Sequence, residues 1–284
     1  MPVVAEEFLL NVAGVDIAGK RWRNGERRVI ALHGWLDNAA SFDILAPLLN
    51  ADVVALDMAG HGLSYHRTPQ ASYNIWEDIP DIIRIADALQ WKTFDLIGHS
   101  RGAIISALLA TAMPERAKGA VLLDGLRPNP VPETDFSAQL GLFLREHLAP
   151  LRPATTYDSI EKAIKVRCRA GDMGESSAAL IAQRGLVHTA EGWYWRHDPR
   201  LRFASAVKMS QENIDSVMNK LAHMPHRVFF TESGLGAVLK AHGELDRWSR
   251  ELNVEMLPGR HHFHMEEQAT ELAEKINAFF ISHR

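Results

Sequence analysis

The sequence predicts an α/β fold in which a mostly parallel central sheet is flanked by helices and interrupted by an inserted helical cap. Three observations predict it. Short apolar runs alternate with helical stretches in the first half of the chain, a proline-marked segment without convincing buried strands follows, and the strand rhythm then returns. The runs Arg28-Val29-Ile30-Ala31-Leu32, Val53-Val54-Ala55-Leu56, Phe94-Asp95-Leu96-Ile97 and Gly119-Ala120-Val121-Leu122-Leu123 are apolar at nearly every position. That is the pattern of strands buried on both faces of a parallel sheet.

Between these runs, Trp76 to Leu89 places Ile79, Ile82, Ile83 and Ala86 at helical spacing, and Ser100 to Met113 carries a second apolar face that ends at Pro114. Strand, helix and strand in this order imply right-handed crossovers in one sheet. From about 127 to about 223 the chain carries Pro128, Pro130, Pro132, Pro150 and Pro153 and then charge-rich helical stretches, the expected cap. The cap divides the core into residues 1–126 and 224–284. The second part holds Arg227-Val228-Phe229-Phe230, a helix around Ala237 to Leu252, the strand Val254-Glu255-Met256-Leu257 and an amphipathic helix from Thr270 to Phe280.

Of 284 residues, 46% are hydrophobic and 23% charged, the balance of a globular chain with a large core. A net charge of -4 without a basic block offers nothing to neutralise a phosphate backbone, so a small-molecule substrate is expected and nucleic acid is not. The N-terminus Met1-Pro2-Val3-Val4-Ala5-Glu6-Glu7 lacks the pattern of a signal peptide, and no apolar run reaches the ~20 residues that span a bilayer. Cys168, the single cysteine, has no partner for an internal disulfide; a cytoplasmic location is the expectation. Nothing in the sequence fixes the oligomeric state.

The sharpest local signal is Gly98-His99-Ser100-Arg101-Gly102, a G-x-S-x-G pattern between an expected strand and an expected helix. Small neighbours let the chain reverse tightly, which exposes the Ser100 hydroxyl and sets the Arg101 N–H at a helix N-terminus, where it can stabilise a developing oxyanion. A second donor is expected from the loop His33-Gly34-Trp35-Leu36-Asp37-Asn38, with Trp35 supplying the N–H.

His33-Gly34, then Asp57-Met58-Ala59-Gly60-His61-Gly62-Leu63-Ser64, then the Ser100 pentapeptide, then Gly259-Arg260-His261-His262 resemble the successive signatures of the α/β-hydrolase superfamily, in order and over nearly the whole chain outside the cap. Within it, His33 to Asn38, Trp195-Arg196-His197-Asp198-Pro199-Arg200-Leu201 and His261-His262-Phe263-His264-Met265 are most similar to the serine hydrolase-like proteins. The resemblance implies the α/β-hydrolase fold and acyl transfer from an ester-like substrate to water. Ala103 departs from the glycine of many relatives, and Arg101 is a large neighbour for the nucleophile that can narrow the pocket or pair with an acid. The Asp57 to Ser64 segment reads as a structural turn, with no chemical role expected for His61.

The triad order of this fold is serine, acid, histidine, so the base is sought late in the chain. Counting back from the closing helix favours His261, counting forward from Pro258-Gly259 favours His262, and His261 is preferred; His264 is expected to pack. The histidines lack the H-E-x-x-H spacing of a zinc helix, and neither metal nor cofactor is expected. For the acid, Thr231-Glu232-Ser233-Gly234-Leu235 puts glycine where most relatives carry aspartate. Asp124-Gly125-Leu126-Arg127-Pro128 is similar to the segment of those haloalkane dehalogenases that moved the acid to the preceding strand end. Asp124 is therefore the first choice and Glu232 the second. Dehalogenase chemistry itself is disfavoured, because those relatives carry aspartate in place of Ser100. Esters, thioesters, lactones, carbon–carbon bonds and perhydrolysis stay open, as does a non-catalytic binding protein of the same fold. Trp193, Tyr194 and Trp195 are expected either to line the entrance or to form the core of the cap.

Overall fold

The computed structural model describes residues 3–130 and 135–283; Met1, Pro2 and Pro132 lie outside the described residues. The chain opens with an antiparallel hairpin of β1 (Glu6–Val12) and β2 (Val15–Arg23). Its turn, Ala13-Gly14, has positive φ at both residues, the geometry that matches strand twist in a tight hairpin. No strand is expected there from apolar runs, because Phe8, Leu10 and Val12 alternate with the exposed Glu7, Leu9 and Asn11 on a half-exposed edge.

Then follow β3 (Arg28–Leu32), β4 (Asp52–Leu56), α1 (Ile79–Ala88), β5 (Phe94–His99), α2 (Arg101–Ala112) and β6 (Ala117–Leu123). The inserted segment holds α3 (Phe136–Leu148), β7 (Thr156–Tyr157), α4 (Ile160–Gly171), α5 (Glu175–Gly185), β8 (Leu186–Thr189) and β9 (Gly192–Trp195), followed by α6 (Gln211–Ala222). The chain closes with β10 (His226–Thr231), α7 (Leu235–Ala241), α8 (Leu245–Glu251), β11 (Val254–Leu257) and α9 (Ala269–Ser282).

The eight-stranded sheet has the order β1-β2-β4-β3-β5-β6-β10-β11 and is parallel from β4 onward. Alternate residues of one strand serve opposite layers of core. Ile30, Leu32, Leu96, Leu122, Val228 and Phe230 pack with α2 and Trp248, while Val29, Ala31, Ile97, Val121, Leu123 and Phe229 pack with Phe42, Ile276 and Phe279. Both faces are covered, which is why these strands read as continuous apolar runs.

Three details differ from the sequence pattern. The cap is helical but also carries a three-stranded antiparallel sheet in the order β7-β9-β8, with strands too short and too partly exposed to stand out as apolar runs. Ile214, Met218 and Leu221 of α6 belong to the same cluster as α2, so this helix packs on the core although it falls within 127–223. The helix expected from Ala237 to Leu252 is broken into α7 and α8 at Gly243, whose φ is +71°. No described helix is long and apolar enough to cross a membrane.

After β3 the chain moves outward to β4 and then returns to the other side of β3 for β5. Such a switch point opens a crevice beyond the carboxyl ends of the strands, which is where loops can build a site.

Candidate active site

Ser100 occupies the turn between β5 and α2 with φ 52° and ψ -115°, a left-handed conformation that a serine adopts only under strong local constraint. The constraint is packing. A Cβ on Gly98 would meet the Gly102 carbonyl oxygen at 2.2 Å, and one on Gly102 would meet that of Leu32 at 2.1 Å. Helix and strand therefore close on each other only through glycine, and the turn leaves Ser100 half-buried at the wall of a cavity of about 420 Å³. Arg101 begins α2, so its N–H belongs to the first turn, whose donors lack partners within the helix.

His261 lines the same cavity as Ser100. Its Nδ1 donates to Asp124 Oδ2 at 2.5 Å, which fixes the neutral tautomer and leaves the Nε2 lone pair free. Asp124 directly follows β6 with φ 40°, is fully buried, and also accepts from the backbone N–H groups of Leu235 (2.8 Å) and Thr231 (3.1 Å). Burial works to raise this carboxyl, but the bond and charge of His261 and the two N–H groups outweigh it and hold the pKa below its ordinary value. Glu232 is exposed, and its backbone N–H bonds to Leu257 rather than to any residue of this group. The structure thus brings Asp124, not Glu232, to the imidazole.

The neighbouring histidines have separate partners. His262 is buried and bonds through Nε2 to Asp37 Oδ2 at 3.1 Å, and His264 bonds through Nε2 to Ser41 Oγ at 2.9 Å. His99 donates from Nε2 to the His261 carbonyl at 2.9 Å, so a fully buried ring supports the loop that presents His261. Burial pushes the His99 pKa down to about 3 despite the nearby Asp37 carboxylate. Asp37, His99 and His262 offer ligand atoms within 4.8 Å of one another. The Arg167 guanidinium, however, is paired with Asp37 and already supplies the positive charge that a metal would bring. Burial acts to raise the Asp37 carboxyl, and Arg167 and His262 overcome it, holding it well below the carboxylate range.

Trp35 lines the cavity beside Gly34, with its ring partly exposed and its Nε1 donating to the Leu201 carbonyl at 2.9 Å. His61 is a structural residue here: fully buried, it accepts from the Leu36 N–H at 3.2 Å and donates to the Ala59 carbonyl at 3.1 Å, which shapes the loop carrying Trp35. The Arg101 side chain is not among those that line the cavity and pairs with Asp78 at 2.7 Å.

The cap roofs the cavity and is tied down at several points. Asn38 Nδ2 donates to the Ile181 carbonyl (2.9 Å), Arg184 pairs with the buried Asp57 (2.9 Å), and Tyr73 Oη donates to Asp198 (2.7 Å). Trp193 and Trp195 share one face of β9 and both pack with Ala163 and Leu186 inside the cap, while Trp195 also lines the cavity. Both expected roles are therefore found: Trp195 combines them, and Trp193 has the packing role alone.

Residues 27–149 match the model of the alpha/beta hydrolase fold family. Serine hydrolase-like protein 2 of Homo sapiens is 31% identical over 86% of this chain and 78% of its own length. The crystal structure of a hypothetical protein from Pseudomonas aeruginosa PAO1 is 36% identical, with a TM-score of 0.91 over 97% of this chain and 99% of that one. The chain belongs to the α/β-hydrolase family, among the serine hydrolase-like proteins. A thioesterase domain from the curacin biosynthetic pathway, 22% identical with a TM-score of 0.83 over 97% of this chain and 99% of that one, shares the fold.

Several residues that shape the site of this α/β hydrolase carry no sequence signal of their own. Arg167 and Arg202 are single arginines in charge-rich cap segments, and only the folded cap brings them to the cavity. Asp37 and His99 sit inside the two motifs that announce the site, so position alone marks them out.

Proposed function

We propose that this protein hydrolyses an ester-like acyl bond of a small molecule through Ser100, His261 and Asp124, with the backbone N–H groups of Trp35 and Arg101 holding the oxyanion. The observation that carries the reading is the His261 to Asp124 bond of 2.5 Å beneath a cavity that Ser100 also lines. With Nδ1 committed to the carboxylate, Nε2 is the basic nitrogen, and its ring lines the same cavity as Ser100.

In the proposed cycle Nε2 takes the Ser100 proton as Oγ attacks the substrate carbonyl carbon, giving a tetrahedral oxyanion. Collapse expels the leaving group, which receives the proton from the imidazolium. Water then attacks the acyl-enzyme in the same way, releases the acid and returns the proton to Ser100. Asp124 remains ionised throughout and stabilises the imidazolium, a role that suits its lowered pKa. Thioester, lactone and carbon–carbon bond cleavage, or perhydrolysis, would use the same groups on a different acyl donor. We place the catalytic core in residues 1–126 and 224–284 together with α6, the cap between β6 and α6, and the protein in the cytoplasm.

Labelling with a fluorophosphonate probe, alongside initial rates on chromogenic esters, tests the reading. Wild-type protein is expected to label and turn over, and Ser100→Ala to do neither. Failure of the wild-type protein on both counts would instead favour a binding protein that keeps the fold.

A further inference from the structure

Most arginines around the Ser100 cavity are matched by carboxylates, and of the arginines that line that cavity Arg202 is the unmatched one. Arg167 pairs with Asp37, Arg184 with Asp57 and Arg200 with Asp198, while Arg101 of the core pairs with Asp78. Arg202, at the end of the Pro199–Arg202 turn, has no carboxylate partner among the described residues. Its guanidinium carbon instead lies 5.4 Å from the centroid of the Trp35 ring. That ring is held by its own bond to the Leu201 carbonyl, so the stack fixes the guanidinium over the residue whose N–H is the proposed oxyanion donor.

Two cavities meet at this point. The one that Ser100 lines shares Tyr157, Trp195, His197 and Arg202 with a second of about 510 Å³ that lies within the cap and reaches Arg152. The second cavity has Arg152 and Arg202 against a single acid, Glu146, whose Oε2 already accepts the Ala204 N–H at 2.6 Å. In the first, Asp37 is neutralised by Arg167, and Asp172 is the remaining acid, exposed at the end of α4. The wall between the cavities feels the excess of positive charge: burial, followed by Arg202 and Arg167, pushes the His197 pKa down to about 4.

We propose that Arg202 is an anion-recognising residue, and that the substrate carries a carboxylate-type group on the limb that runs from Ser100 into the cap cavity. The planar guanidinium fork suits bidentate capture of two oxygens, and its stacking on Trp35 leaves the fork edges free for them. The inference rests on the hydrolase reading for its reaction but not for its binding site.

Matched para-nitrophenyl esters test it: monoesters of linear dicarboxylic acids, fatty acyl esters of equal length, and esters ending in an ammonium group. Wild type is expected to favour the carboxylate series by roughly tenfold in kcat/KM, the worth of a charged hydrogen bond in a partly open site. Arg202→Gln should bring that ratio near unity, and Arg202→Lys should keep part of it, which separates charge from the packing of Trp35. In parallel, calorimetry of adipate against hexanoate on the Ser100→Ala protein reads binding without turnover, and Arg202→Gln should weaken adipate by a similar factor. Ester turnover with no carboxylate preference, or with the ammonium series favoured through Asp172, would overturn the anion site and leave the hydrolase reading standing. Absence of turnover and labelling with adipate binding still dependent on Arg202 would do the reverse.

Discussion

Asp124→Asn is expected to lower ester hydrolysis about a thousandfold, and the figure follows from the contacts of one carboxylate. Its two oxygens accept three N–H groups, Thr231 on Oδ1 and both Leu235 and His261 on Oδ2. An amide keeps one oxygen and presents NH₂ in place of the other. With NH₂ toward Thr231, that backbone donor is orphaned, while His261 keeps its tautomer but loses the negative charge. With NH₂ toward Leu235 and His261, Leu235 is orphaned and the ring must accept at Nδ1, so its proton sits on Nε2 and Ser100 has no base. One buried donor is lost in either orientation, a stability cost of about 1–3 kcal/mol. The catalytic loss is larger. Opposite charges ~4 Å apart attract by about 4 kcal/mol at an effective dielectric constant near 20, and that stabilisation of the imidazolium is worth roughly a thousandfold in rate. Initial rates on a chromogenic ester, with thermal melts as the folding control, read both effects. Glu232→Gln, on an exposed side chain, should stay within about a factor of two, since surface changes of this kind cost ±0.5 kcal/mol. Loss of turnover in Glu232→Gln with activity retained in Asp124→Asn would refute the assignment.

A Cβ on Gly234 would sit 2.0 Å from Asp124 Oδ2 and 2.3 Å from Thr231 Oγ1, so Gly234→Ala should cost about 1–3 kcal/mol in a urea melt and lower kcat by displacing the carboxylate from His261. Wild-type stability and rate in that variant would show that the strand end has room the geometry denies. The buried neutral histidines set the response to acid. His99 is held near 3, and burial also lowers His33, His61 and His264, so in each case the unfolded chain takes up the proton first. Stability is therefore full above the ordinary histidine pKa of 6.5 and falls as the pH drops through the window between that value and the folded one. Between about pH 7 and pH 5 a single such histidine costs about 2 kcal/mol, and chemical denaturation at the two values should show a loss of at least that size. Equal midpoints would mean that these rings can ionise in place.

The fold was legible where burial is two-sided. Strands such as Ile30 to Leu32 and Leu96 to Ile97 must present apolar side chains to two layers, and no other element of this length does so. Legibility failed where one face meets water: the hairpin β1–β2 and the cap strand β9, whose residues are all partly exposed, carry mixed patterns that a helix or loop could equally show. The site divided along the same line. Ser100 was marked by two glycines within five residues, since Gly98 and Gly102 report the close approach of α2 to β5 and to the end of β3. The choice between His261 and His262 depended on which ring faces which carboxylate across 137 or 225 residues of sequence, and spacing carries no information about that.

The proposed acid, Asp124, shows how a remote constraint can nevertheless leave a local trace. The ends of β6 and β10 are neighbours in the sheet, and both open toward the imidazole of His261. The space between them holds one carboxylate. With Asp124 there, position 234 must lack a Cβ, because the nearest oxygen is already within 2.0 Å of where that atom would stand. The glycine at 234 is then a consequence of the aspartate at 124, rather than a sign that the site has lost its acid. Leu235 supplies the corresponding positive evidence, since its N–H opens α7 and points at the carboxylate from 2.8 Å, as a helix N-terminus does toward an anion. A carboxylate at 234 would push against Asp124 instead of replacing it, so the Gly234→Asp variant should fall below Gly234→Ala in both stability and rate.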